Sequence, residues 1–177
     1  MLESPLETKR WLLKGVKPYY KAHLGAAYLG DALELTKAVP DNSVNLIAKS
    51  PPYALRYKKE YGSVDAEDYI AWFMPFADQF YRVLTEDGSF VLNIGGCWEL
   101  GKPIRSLYHF KLLIELCKKF FLAEEFVWVK PAAMPSPAEW VNVKRIRVKD
   151  AIEYIWWLSK TPYPKANNRK VLQPYTE

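Results

Sequence analysis

Apolar residues in this chain recur with two different spacings, and each spacing predicts an element. Ala26-Ala27-Tyr28-Leu29 reads as a short strand closed by a Gly30-Asp31 turn. Leu33, Leu35 and Val39 follow as a helix that Pro40-Asp41-Asn42 ends. Val44-Asn45-Leu46-Ile47-Ala48 is a β-prone apolar run cut off by Pro51-Pro52, the pattern of a buried strand. Strand, helix and strand at this spacing make a βαβ unit and predict a parallel sheet. Asp65 is the expected N-cap of a long helix, with Glu67 and Asp68 in its first turn. Ile70, Phe73, Ala77, Tyr81 and Leu84 then mark its apolar face, and Pro75 should bend it without ending it.

The same reading carries on toward the C-terminus. Thr85-Glu86-Asp87-Gly88 is a turn, and Ser89 to Ile94 a strand ending at Gly95-Gly96. A second helix is expected from Pro103, burying Ile104, Leu107, Leu112 and Leu116 and closing with Lys118-Lys119. Phe121 to Val129 is a strand halted by Lys130-Pro131, and residues 132–137 form a stiff loop. Val141 to Lys149 partly alternates apolar and basic residues, which predicts a half-buried strand or extended ribbon. Its positive face suits phosphates, and a charged edge strand guarding against aggregation fits it equally. Ile152 to Leu158 is the last apolar strand. The chain therefore divides into a basic, aromatic arm (1–24), an α/β portion (25–160) and an irregular tail (161–177).

Composition narrows the class. Half of the 177 residues are hydrophobic, with 7 Trp, 12 Tyr and 8 Phe, so one domain with a real core is expected and disorder is not. A net charge of +5 permits a polyanionic partner without requiring one. Cys97 and Cys117 match no metal-ligand spacing and no disulfide framework, so they are expected as small apolar filling in a reducing compartment. No apolar run approaches the ~18 residues of a membrane span, and Met1-Leu2-Glu3-Ser4-Pro5 does not open a signal peptide. A soluble, cytoplasmic protein without metal is the expectation.

The candidate chemistry sits at Ser50-Pro51-Pro52-Tyr53, just past the Val44 strand. In open α/β sheets, ligand sites form beyond the carboxyl ends of parallel strands. Two prolines without N–H groups leave carbonyl oxygens uncontested, Ser50 adds a hydroxyl, and Tyr53 adds a flat stacking face. This set suits gripping an exocyclic amine beside an aromatic ring. Four residues alone also describe an ordinary strand-ending turn with a core tyrosine, so their context has to decide.

That context resembles a family. Tyr28-Leu29-Gly30-Asp31, Ser50-Pro51-Pro52-Tyr53, Lys58-Lys59-Glu60-Tyr61-Gly62 and Asp87-Gly88-Ser89-Phe90-Val91 are part of the likeness. So are Pro135-Ser136-Pro137, Glu139-Trp140-Val141-Asn142, the stretch Lys144 to Ala151, and Trp156 to Thr161. Together they are similar to the permuted β group of amino-methylating DNA methyltransferases, in particular the cytosine-N4 type. The resemblance implies a Rossmann-like sheet that uses S-adenosylmethionine. Ser50, Pro51, Pro52 and Tyr53 would be catalytic: Tyr53 stacks on a flipped cytosine while Ser50 and the Pro51 carbonyl accept hydrogen bonds from its N4 amine. Gly30, Asp31 and Ser50 would hold the cofactor, with Asp31 accepting from its adenine amine. Arg56, Lys58 and Lys59, with Lys144, Arg145 and Arg147, would meet DNA phosphates.

The departure from the family is equally specific. Its glycine-rich cofactor half is expected beyond residue 177, and no G-x-G-x-x-G pattern occurs here. The resemblance therefore implies an incomplete sheet, finished by a second polypeptide or a second copy, or else a fragment with little activity of its own. Adenine N6 or RNA as target, and a non-catalytic nucleic-acid-binding remnant, are the competing readings; Ser rather than Asp at position 50 weighs against adenine.

Overall fold

The computed structural model describes residues 12–54 and 64–173. A hairpin of β1 (Tyr20–Ala22) and β2 (Gly25–Ala27) comes first, followed by α1 (Ala32–Lys37) and β3 (Val44–Lys49). Next are α2 (Tyr69–Val83), β4 (Leu84–Ile94), α3 (Tyr108–Leu116), β5 (Phe121–Val129) and β6 (Ile152–Ser159). The main sheet has the order β3-β4-β6-β5. Only β3 and β4 run parallel; β6 is antiparallel to both of its neighbours. The sheet is mixed, not the parallel one expected. Nor does the Ala26–Leu29 segment join it, since β2 pairs with β1 instead.

Register sorts the strand residues onto two faces. Phe90, Leu92 and Ile94 of β4 pair with Leu158, Trp156 and Tyr154 of β6. On this face all of them but the half-buried Tyr154 are fully buried, beneath Tyr69, Phe73, Ala77 and Phe80 of α2 and Leu112 and Leu116 of α3. Tyr69 and Tyr108 join the two helices edge to face at 4.8 Å between ring centroids. Core burial thus follows positions 69, 73, 77 and 80 of α2. Ile70 and Tyr81 only flank it, a rotation of the expected stripe. Pro75 lies inside one uninterrupted helix, as expected. The helix begins later than expected, at Tyr69, after a turn closed by Asp68 N–H to the Asp65 carbonyl.

The Thr85–Gly88 turn is replaced by a bulge. β4 starts directly from the end of α2, with Val44 opposite Leu84 and Leu46 opposite Ser89, so the four β4 residues between them stand against the single Asn45 of β3. A Cβ on Gly88 would stand 2.9 Å from Thr85 Oγ1 and 3.0 Å from both Leu84 Cδ2 and the Thr85 carbonyl. Backbone and packed side chain close that space, so only glycine fits.

Two further expectations fail for the same reason, tertiary packing overriding local pattern. Helix α3 begins at Tyr108, not Pro103, and leaves Ile104 and Leu107 exposed. Val141–Lys149 is not a strand: Glu139–Val143 forms a π-helical segment that buries Trp140, and the remainder is irregular. β5 and β6 match the expected strands, and the described residues past Ser159 are irregular except for one 3-10 turn at Asn168–Lys170.

Candidate active site

Ser50 to Tyr53 leaves the carboxyl end of β3, beside the carboxyl end of its parallel neighbour β4. From there the tyrosine ring folds back over Gly95, the first residue after β4. A Cβ on Gly95 would lie 2.8 Å from Tyr53 Cε2 and 3.0 Å from Cδ2, so the glycine makes room for the ring. Tyr69 of α2 holds the turn from the opposite side by donating to the Pro52 carbonyl at 2.7 Å. Tyr108 in turn donates to the Gly95 carbonyl. Burial pushes the Tyr69 and Tyr108 phenols well above the usual tyrosine range, so both remain neutral donors.

The Tyr53 hydroxyl is the hub of a polar cluster. It lies 2.9 Å from Glu153 Oε2, 3.0 Å from Asn93 Oδ1 and 3.3 Å from Ser50 Oγ. Ser50 Oγ also lies 3.3 Å from Asn93 Oδ1. Asn93 donates its amide N–H to the Tyr154 carbonyl at 3.3 Å, which turns its oxygen toward the two hydroxyls. Glu153 forms an ion pair with Lys130 through its other oxygen. Burial opposes ionisation of Glu153, yet hydrogen bonds from Lys130, Tyr53 and Asn93 outweigh it and hold the carboxyl below its usual range. Burial, reinforced by the Glu153 charge and only partly offset by Ser50, pushes the Tyr53 phenol up to about 12.

Donor directions follow from this chemistry. A carboxylate and an amide oxygen can only accept, so Tyr53 and Ser50 spend their protons on them. The lone pairs of Ser50, which is exposed, are left to accept from an incoming N–H. The cluster therefore converts a hydroxyl into an acceptor, which is what an amine-gripping site requires.

Asn93, Gly95, Lys130 and Glu153 were absent from the sequence-derived site. Gly95-Gly96 was visible only as a strand end. Asn93 and Glu153 meet Tyr53 because β4 pairs with β6 antiparallel, setting Asn93 opposite Ile155, a pairing no local pattern contains.

Other expected site residues are placed differently. Asp31 is exposed and caps α1, accepting from Glu34 N–H at 3.0 Å through one carboxylate oxygen. Gly30 precedes it in the same turn. Lys144 is paired with Glu139 at 3.0 Å and lies over the Trp140 ring. Arg147 donates to the Pro103 and Ile146 carbonyls, and Arg145 is exposed with a left-handed backbone (φ 54°). The three do not share the face of one ribbon. Arg56, Lys58 and Lys59 lie outside the described residues. Among the described residues no cluster of three metal-ligating side chains occurs, and no helix is long and apolar enough to cross a membrane.

An apolar cleft of about 380 Å³ runs along the outer edge of β3. Its walls are Val44 and Ile47, the α1 side chains Ala32 and Thr36, and Trp72, Phe76 and Phe80 of α2, and it ends at Ser50-Pro51-Pro52.

The chain belongs to the N6/N4 DNA methylase family, whose model, described as DNA methylase, matches residues 44–177. It is 48% identical over 165 residues to the type II methyltransferase M.PvuII of Proteus hauseri, spanning 92% of this chain and 49% of that protein. Identity to M.ScaI of Streptomyces caespitosus is 32%, over 87% of this chain and 51% of the relative. The solved PvuII DNA methyltransferase (cytosine-N4-specific) superposes with a TM-score of 0.81, covering 89% of this chain and 57% of that one. A Thermus thermophilus protein solved with S-adenosyl-L-methionine shares the fold at a TM-score of 0.57 and 22% identity. The chain spans about half the length of the curated relatives it matches.

Proposed function

We propose that this chain is the catalytic portion of a DNA methyltransferase that modifies the N4 amine of a cytosine flipped out of the duplex. The observation carrying this reading is the Ser50–Tyr53–Asn93–Glu153 cluster, which leaves Ser50 an acceptor one residue before the Pro51 carbonyl. An aromatic amine is a poor nucleophile because its lone pair is delocalised into the ring. Two acceptors drawing on its protons localise that pair, and the Tyr53 ring offers a face against which the base can stack. S-adenosylmethionine, when bound, supplies the electrophilic methyl group.

This chain's residues fit only one side of that cofactor. Asp31 keeps one carboxylate oxygen beyond its cap bond for an adenine amine, and its neighbour Ala32 lines the same cleft as Ser50. No glycine-rich loop is present in the sequence to take the remainder. Support for a completing half, a second polypeptide or second copy, comes from the open edge of β3. Its apolar cleft has the length of the strand and the lining to receive another strand's side chains. On DNA, Arg145 is the best placed of the three C-terminal basic candidates, and the protein acts in the cytoplasm, where its substrate lies.

The test is methyl transfer from labelled S-adenosylmethionine to DNA, by the chain alone and with the half its relatives carry, followed by nucleoside analysis. N4-methylcytosine produced only with both parts is expected. N6-methyladenine, or no label in either case, overturns the reading.

A further inference from the structure

An amine that gains a methyl group carries one proton too many, and the prolyl turn holds no base to take it. Building on the amine-methylating reading above, we propose that Glu153 is the acceptor of that proton, reached through the hydroxyls of Ser50 and Tyr53. The path is continuous: Ser50 Oγ to Tyr53 Oη is 3.3 Å, and Tyr53 Oη to Glu153 Oε2 is 2.9 Å. Among the described residues Glu153 is the one carboxylate bonded to this cluster, since Asn93 is an amide and has no useful basicity.

The step balances as follows. The nitrogen–methyl bond forms as the sulfonium donor's carbon–sulfur bond breaks, and the positive charge passes to the amine nitrogen. That nitrogen releases a proton to Ser50 Oγ while keeping the bonding pair. Ser50 turns its own proton from Asn93 to Tyr53 as it takes the new one, and Tyr53 passes its proton to Glu153, which becomes a neutral acid. The methylated amine, still carrying both of its protons on an electron-poor ring, is a strong acid, so a weakly basic carboxylate suffices to take one of them. Lys130, on the other Glu153 oxygen and partly solvent-accessible, fixes which oxygen faces Tyr53 and opens the pair to water, to which Glu153 releases the proton before the next turnover.

Two measurements test the relay. In the chain itself, the carboxyl of Glu153 is followed by ¹³C NMR through acid titration. Tyr53→Phe should move its midpoint upward, because a donor to the ionised form is lost; an unchanged midpoint overturns the contact. In the chain joined to its completing half, Glu153→Gln should slow single-turnover methylation 100-fold or more with DNA affinity unchanged. The residual rate should climb with pH as solvent base takes over, while the unmodified enzyme stays flat. A Glu153→Gln rate within threefold of the original, flat with pH, overturns the relay. Ser50→Ala separates the two levels. If it abolishes transfer where Glu153→Gln does not, only the relay fails; if it too leaves the rate intact, the reading of the turn fails. An assembly that transfers no methyl group sinks both.

Discussion

Tyr53 has a position only because Gly95 lacks a side chain, and this gives the sharpest single-residue prediction. Gly95→Ala places a methyl 2.8 Å from a rigid ring, which has to swing away from Asn93 and Glu153. The expected result is a stability cost of about 1–3 kcal/mol in urea unfolding, together with loss of methyl transfer by the completed enzyme. A variant with normal activity would mean the ring need not lie where it does. His109 supplies a second prediction, in acid. It is 2% exposed and its Nδ1 has no hydrogen-bond partner, packed near Tyr154 and Trp156. Burial, aided by the nearby Arg105 charge, lowers its pKa from 6.5 to about 4. As pH falls below 6.5 the unfolded chain takes a proton that the folded chain refuses until about pH 4. Stability therefore drops through that window, by roughly 3 kcal/mol from this group. His109→Phe should flatten that part of the pH–stability curve, and an unaltered slope would remove His109 from the acid response. At this scale the sequence showed the half of the site that is contiguous, Ser50 to Tyr53. Asn93 and Glu153 stayed hidden, being 40 and 100 residues from Tyr53 and joined to it only by strand register.

Elements were legible where a single local rule governs them. Phe121–Val129 and the Val44 strand are runs of apolar residues with punctuation, and the structure keeps them almost to the residue. The errors cluster where two elements meet. Thr85-Glu86-Asp87-Gly88 has turn composition, but α2 runs straight into β4 and the surplus length becomes a bulge. What holds that corner is Lys160, from just past β6. Its ammonium donates to the Leu84 carbonyl at 2.9 Å, Asn42 Oδ1 at 2.8 Å and Glu86 Oε1 at 3.0 Å, and lies over the Tyr81 ring. Glu86 is mostly exposed, so the pair's charge attraction contributes little. The cost of removing the lysine lies in the Leu84 carbonyl left buried without a donor. Lys160→Met should destabilise the fold by about 2 kcal/mol, whereas Glu86→Gln should change it by less than about 0.5 kcal/mol. Equal losses in the two variants, measured by urea unfolding, would mean that the ion pair and not the carbonyl is what matters.

For the whole molecule, the two faces of the main sheet are unequal. One lies under α2 and α3. The other carries Leu46, Val91, Ile155, Trp157, Phe126 and Trp128 by register, with Leu46 59%, Phe126 49% and Trp128 50% exposed. A half-solvated sheet normally alternates apolar with polar residues, and this one is apolar on both sides, the pattern of a sheet covered twice. The same face holds Asn93 and Glu153 near its upper end, so whatever covers it also closes the candidate site from water. The sequence led to the expectation of a completing half through an absent glycine pattern, but did not reveal which sheet face is left exposed, because that depends on strand order. Charged side chains on an already exposed surface should not disturb the isolated chain, so Leu46→Lys and Phe126→Lys together should leave its urea midpoint within about 0.5 kcal/mol of the original. Buried under a second layer, two unpaired ammonium groups are costly. The double variant should therefore fail to assemble with the completing half and give no methyl transfer, even though Ser50 to Tyr53 is untouched. Normal assembly would show that the partner approaches only the β3 edge, and that this apolar face serves some other contact.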